Sequence, residues 1–197
     1  MKHLTIKDLM TTGAFAALYF TCVGLGTLIG IFFDKSGNML YAPAFAALLA
    51  GTVYFLLMAK LQTFGPITLL GLMMGIFFFL TGHFFAALLP AIVFGLLADL
   101  VAGIGKYKST FGNMLSYLIF AFVNSGPILM MWFLKDAYIK SLLARGKDMV
   151  YVNRVMYEFT FGHATWFIAT VLLGALVGGL FGQYLLKKHF TKTGILS

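Results

Sequence analysis

Residues 9–33, LMTTGAFAALYFTCVGLGTLIGIFF, contain no charged side chain. Met1-Lys2-His3-Leu4-Thr5-Ile6-Lys7-Asp8 ahead of them has the basic character of a signal-peptide lead. The run is nevertheless too long for a cleaved signal, whose apolar core is roughly 7–15 residues, and long enough to cross a hydrocarbon core of about 30 Å. We read it as a retained membrane helix. Similar runs follow at about 39–59, 64–80, 84–104, 112–134 and 162–186, so the sequence predicts an all-α integral membrane protein, a single domain built as a six-helix transmembrane bundle. The third run is short for a span of about 20 residues, which places its start nearer Lys60 or puts an irregular turn at Gly65-Pro66.

Composition agrees. A chain of 197 residues that is 61% hydrophobic and 10% charged, with mean hydropathy +0.95, has too little interior to hide its apolar side chains from water. The net charge of +8 would suggest nucleic acid in a soluble protein, but here the basic residues lie between apolar runs and read as topology, with no nucleic-acid partner expected. Lys2, Lys7, Lys60, Lys106, Lys108, Lys187, Lys188 and Lys192 fall on one side and closely flank the spans. Lys35, Lys135, Lys140, Arg145, Lys147 and Arg154 fall on the other, diluted by acids in one long loop. The first side is expected to be cytoplasmic, with both termini inside a multi-pass protein of the cell membrane. The long loop, about 135–160, carries Met149, Val152, Val155, Met156 and Phe159 at helical spacing with Arg154 and Glu158 four apart opposite them. It predicts a helical outer loop between the fifth and sixth spans, lying in the headgroup layer or capping an outer pocket.

Chemistry is sparse. The spans hold one carboxylate, Asp99, and the chain has no His-Glu-x-x-His, Cys-x-x-Cys or phosphate-binding Gly-rich loop, so no enzyme is expected. Asp99 sits near an inner helix end close to Lys106, which suggests a structural pair and not a proton relay. Small residues recur four apart: Thr12 and Ala16 beside Gly13 and Ala17 in the first span, Ala42, Ala46 and Ala50 in the second, and Gly174, Gly178 and Gly182 in the sixth. Such rows let helix backbones approach, within the bundle or, for the first and last spans, against another membrane protein. At the outer ends lie His83, Trp132, His163 and Trp166, either interfacial residues or the rim of a pocket. Asn124-Ser125-Gly126-Pro127, halfway along the fifth span, pairs helix-weakening residues with hydrogen-bonding ones, and Asn124 is a candidate pocket floor.

Lys7-Asp8-Leu9 leading to Ala17-Leu18-Tyr19-Phe20, Ala98-Asp99-Leu100 followed by Gly105-Lys106-Tyr107-Lys108-Ser109, and six spans in this length resemble the Trep_Strep group. That group is similar to the substrate-capturing S components of energy-coupling-factor (ECF) vitamin importers. The resemblance implies a bundle that holds a vitamin-like or cofactor-like ligand on its outer side and delivers it inward with a transmembrane T component and two ATPase subunits. It also implies that Thr12, Gly13, Ala16 and Ala17 contact the T component. A self-sufficient secondary transporter and a structural or regulatory membrane protein without a small ligand are the alternatives.

The residues themselves point to the ligand class. A pocket walled by Phe, Tyr, Trp and Met suits a flat, largely apolar molecule. His83 and His163 stand at outer ends of different spans, where imidazoles can ligate a metal, and Lys135 or Arg154 can pair with carboxylates. Haem or a related metal-bearing cofactor is the leading expectation as transported ligand, with His83 and His163 as iron ligands and no intrinsic cofactor; an iron-free vitamin or a metal chelate is the alternative.

Overall fold

The computed structural model describes residues 4–83 and 85–190, the side chains of the last two excepted. Lys2, Lys192 and Phe84, used above for topology and for the start of the fourth run, lie outside the described residues. The secondary structure among the described residues is helical. Helix α1 spans Ile6–Phe33, α2 Ala42–Leu61, α3 Pro66–Leu80, α4 Leu88–Ile104 and α5 Thr110–Phe120; α6 spans Gly126–Phe133, α7 Lys135–Ala144, α8 Met149–Val155 and α9 Phe161–Leu185. Short 3-10 turns at Phe85–Ala87 and Ala121–Ser125 lead into α4 and α6.

Local sequence explains the boundaries. Thr5 and Asp8 form a capping box at the start of α1, with Asp8 N–H donating to Thr5 Oγ1 at 3.2 Å and Thr5 N–H to Asp8 Oδ2 at 2.9 Å. The hydroxyls of Ser109 and Thr160 and the carboxylate of Asp148 cap α5, α9 and α8 in the same sense. Pro66 opens α3 after Gly65, whose φ of 116° only glycine adopts without strain. Pro127 has no N–H to offer and its ring crowds the carbonyl of Val123, so the chain tightens to 3-10 geometry over Ala121–Ser125 before resuming as α6.

Among the described residues five segments are long and apolar enough to cross a membrane: Ile6–Phe33, Ala42–Leu61, Phe85–Ile104, Thr110–Phe133 and Phe161–Lys188. Helix α3, the expected third span, has 15 residues and rises about 22 Å, short of the full hydrocarbon thickness. The helices pack as a ring in the order α1, α2, α9, α5, α4, α3 and back to α1. Leu18, Leu25, Val93, Leu97, Leu173 and Leu180 are exposed on its outside, while Tyr19, Tyr54, Ser116, Tyr117 and Asp99 are fully enclosed. An apolar exterior around a polar-threaded interior is the distribution that lipid solvent selects.

Helix α2 is held on both sides through small residues. A Cβ on Gly26 of α1 would strike the backbone of Ala46, and one on Gly30 would lie 3.3 Å from Ala42 N. On the other side, Cβ atoms on Gly174 and Gly178 of α9 would strike the carbonyls of Ala44 and Ala47, and one on Gly182 would come within 2.7 Å of Gly51. The Gly174, Gly178, Gly182 row, considered above for an external partner, is therefore occupied by α2.

Candidate functional site

The end of the bundle away from the amino terminus is roofed. Helices α7 and α8 bury Tyr138, Leu142, Val152 and Val155 beneath them. A Cβ on Gly37, in the α1–α2 loop, would sit 3.5 Å from Val155, and one on Gly82, in the α3–α4 loop, 3.2 Å from Arg145. Helix α8 is shorter than the sequence spacing suggests. The backbone leaves helical geometry at Met156, and the freed carbonyls of Tyr157 and Glu158 accept from Trp132 Nε1 at 3.0 Å and bond His163 Nδ1 at 2.7 Å. The expected Arg154–Glu158 helical pair does not form. Glu158 meets Lys135 at 3.3 Å, and Arg154 lies over the Tyr151 ring at 5.2 Å.

These contacts sort the candidate residues. His163 stacks on Tyr157 with ring centroids 4.1 Å apart, and Trp132 bonds the same residue's carbonyl, so Trp132 and His163 belong to one cluster. Trp166 joins from the side by donating to Tyr41 hydroxyl at 3.2 Å. Burial first, then the nearby Tyr41 and the Asp34 carboxylate, push the Tyr157 hydroxyl above the usual tyrosine range. His83 stands elsewhere, against Phe78 and Thr81 at the end of α3. Burial, and next the Arg145 guanidinium, lower its pKa, while a Phe78 backbone hydrogen bond acts the other way. Helices α3 and α9 are not neighbours in the ring, so His83 and His163 are held by separate neighbourhoods. Among the described residues no three His, Cys, Asp or Glu side chains form a metal-binding group.

Two spaces at this end bear on the candidate residues. One is a groove of about 430 Å³ walled by Phe94, Phe122, Leu129, Trp132, Phe159 and Phe167, with His163 adjoining through its neighbour Ala164. The rings run in a chain, Phe94 to Phe122 at 5.5 Å, Phe122 to Phe167 at 6.4 Å, Phe167 to Trp132 at 5.6 Å and Trp132 to Phe159 at 5.6 Å. Its size falls within the range of small-molecule sites, and its wall accepts flat or extended apolar groups. The other is a cavity of about 30 Å³ between Val23, Thr27, Met39, Phe78 and Asn124, enough for a water or two. Asn124 Nδ2 donates to Tyr19 hydroxyl at 3.2 Å, and its Oδ1, though buried, accepts from no protein group. Asn124 thus lines this inner cavity and not the groove.

The expected docking row divides. Thr12 and Ala16 point into the bundle, 1% and 6% exposed, and Thr12 hydroxyl bonds Asp8 carbonyl at 2.8 Å. A helix turn that packs inward cannot also meet an external partner. Ala17 is exposed, and Cβ atoms added at Gly13 or Gly24 would meet nothing within 4 Å, so the outward small face of α1 runs through Gly13, Ala17 and Gly24.

At the amino-terminal end Asp99, fully buried, takes part in an arrangement that sequence proximity to Lys106 did not suggest. Its Oδ2 accepts from Gly65 N–H at 2.9 Å, Thr68 N–H at 2.9 Å and Thr68 hydroxyl at 2.8 Å, and its Oδ1 from Tyr107 hydroxyl at 2.8 Å. A carboxylate on α4 thus caps the neighbouring helix α3, its negative charge at the positive end of that helix. The Gly105-Lys106-Tyr107-Lys108-Ser109 segment supplies the fourth donor: Lys106 and Tyr107 take left-handed φ of 49° and 60°, which turns Tyr107 inward and leaves Lys106 exposed.

No curated protein and no solved structure matches the chain. Asp8 at the start of α1 and the Asp99–Tyr107 clasp both fall inside the region covered by a family model. That model, Trep_Strep, describes a hypothetical bacterial integral membrane protein and matches residues 6–192, so the chain belongs to the Trep_Strep family.

Proposed function

We propose that this protein is the substrate-capturing S component of an ECF-type importer, a binding subunit and not an enzyme. It crosses the cell membrane six times, α3 being the short third span, with both termini cytoplasmic and α7 and α8 outside. It takes a flat, largely apolar ligand at the outer end and delivers it with a T component and two ATPase subunits. The observation that carries this reading is the groove of linked aromatic rings between α4, α6 and α9. Its lining suits recognition of an apolar surface, and the carboxylate within the spans is committed to capping α3.

Haem is the leading ligand, with one histidine as its axial ligand. The Glu158 carbonyl can only accept, so His163 Nδ1 carries the proton and Nε2 is left unprotonated for a metal, the usual orientation of a ligating imidazole. Lys135, exposed and tied only to an exposed Glu158, can turn to a propionate at little cost. Haemin titrated into the purified protein should give a Soret shift that His163→Ala abolishes and His83→Ala preserves. No specific Soret change in the wild type removes haem as the ligand, and an unaltered spectrum in His163→Ala removes this histidine.

Docking is tested apart from binding. Gly13→Leu and Ala17→Leu put bulk on the outward face of α1, and co-purification with the T component should fall at least tenfold while the thermal midpoint stays within about 3 °C. Unchanged co-purification would place the interface elsewhere.

A further inference from the structure

The bundle end that holds the amino terminus has a depression of about 450 Å³, among Gln62 after α2, Lys108 and Asn113 around the start of α5, and Gln183 and Lys187 at the end of α9, with Phe55 in its base. We infer that this depression binds a phosphate-bearing polyol headgroup, a phosphodiester with free hydroxyls such as that of phosphatidylglycerol. This inference does not depend on the importer reading.

Charge and hydrogen-bond chemistry support it together. Lys60, Lys106, Lys108, Lys187 and Lys188 are exposed at this end, whereas its two carboxylates, Asp8 and Asp99, are buried. Among the described residues an anion therefore meets no exposed acidic side chain there, and the start of α5 adds the positive end of a helix dipole. The amide side chains supply the second half. Each side-chain nitrogen is anchored by one hydrogen bond, Gln62 Nε2 to Ala59 carbonyl at 3.1 Å, Asn113 Nδ2 to Tyr107 carbonyl at 3.0 Å and Gln183 Nε2 to Thr110 carbonyl at 2.9 Å. That orientation presents the oxygens as acceptors, and Asn113 Oδ1 is buried with no partner among the described residues. Bare phosphate offers such oxygens little, but a hydroxylated headgroup donates to them while its phosphate meets Lys108 and Lys187. Phe111 and Leu115 on α5 and Leu180 and Tyr184 on α9 are exposed on the two helices that border the depression, an apolar surface for acyl chains.

The test exchanges the purified full-length chain into micelles containing equal phosphatidylglycerol and phosphatidylcholine and measures retained lipid by native mass spectrometry. Retention should favour phosphatidylglycerol about thirtyfold, as expected for two interfacial lysines. Lys108→Ala with Lys187→Ala should erase the preference, while Lys60→Ala with Lys188→Ala, an equal loss of charge outside the depression, should keep it. Asn113→Leu should reduce phosphatidylglycerol retention to that of phosphatidic acid, which lacks headgroup hydroxyls. Displacement of the lipid by glycerol 3-phosphate would assign the site to a soluble phosphate, and failure to displace would assign it to the membrane lipid. Equal retention of the two lipids by the wild type, or equal loss in the two lysine pairs, overturns the site.

Discussion

Gly178→Leu is expected to leave no monodisperse protein, and Gly178→Ala to lower the thermal midpoint by about 6–12 °C, the equivalent of roughly 3 kcal/mol in a chain of this size. The reason is geometric. At Gly178 the backbones of α9 and α2 touch, and an added Cβ would strike the Ala47 carbonyl and lie 2.5 Å from that of Leu48. Backbone cannot rotate away as a side chain tip can, so the helices must separate along their length, and Gly174, Gly182 and Gly51 lose contact with them. Gly13→Ala is the matched control. The same methyl there meets nothing within 4 Å, and it should be neutral or slightly stabilising through helix propensity. Fluorescence-detected size exclusion and thermal unfolding in detergent read both, and a Gly178→Leu protein that is monodisperse with an unchanged midpoint would mean that α2 and α9 do not pack this way.

That small residues would bring helices together was legible in the sequence; which helices was not. A four-residue spacing marks a face but carries no address, so Gly174, Gly178 and Gly182 looked as suitable for a foreign helix as for α2. The row on α1 divides for a related reason. Thr12, Ala16 and Tyr19 continue inward at helical spacing while Gly13 and Ala17 lie one residue round the helix, and only the position of α2 decides which row is covered. Helix starts carried a signal that apolar runs alone do not use: Ser109, Asp148 and Thr160 are capping residues by chemistry and fix the starts of α5, α8 and α9. Helix α7 was not marked out within the expected helical loop, since Lys135–Ala144 has little apolar periodicity and its helix forms by packing Tyr138 and Leu142 on the end of the bundle.

The site was legible at its rim and hidden in its wall. Trp132 and His163 declare themselves by being polar-tipped residues at span ends, and they do share a cluster around Tyr157. Phe94, Phe122 and Phe167 give no such sign, because a phenylalanine in an apolar run is equally suited to lipid, core or ligand. His83 has the same sequence context as His163, yet the ring order of the helices sets it with Phe78 and Arg145. The Asn124-Ser125-Gly126-Pro127 irregularity was legible because Pro127 forces it, but the space it opens is the inner cavity beside Asn124, with the groove wall formed by its neighbours Phe122 and Ser125.

Asp99→Ala is expected to destabilise the protein by about 3–5 kcal/mol, because it removes the acceptor from four donors at once. The hydroxyls of Thr68 and Tyr107 can rotate toward other acceptors, but the N–H groups of Gly65 and Thr68 are fixed by the first turn of α3 and remain unpaired. Asp99→Asn should cost much less, about 1 kcal/mol, since its single oxygen can face Gly65 and Thr68 while its NH₂ donates to the Tyr107 hydroxyl, which then accepts. What is lost is the charge at the amino end of α3. Tyr107→Phe removes one bond and should fall near the Asn variant, and combining it with Asp99→Ala should cost less than the sum because the two share that bond. Lys106→Ala separates this clasp from the ion pair that sequence proximity suggests. An exposed lysine outside the cluster should change the thermal midpoint by no more than about 2 °C, whereas a true Asp99–Lys106 pair would make Lys106→Ala as damaging as Asp99→Ala. Thermal unfolding of the four single variants and the double variant decides it, and a Lys106→Ala effect as large as that of Asp99→Ala would show that the clasp is misassigned.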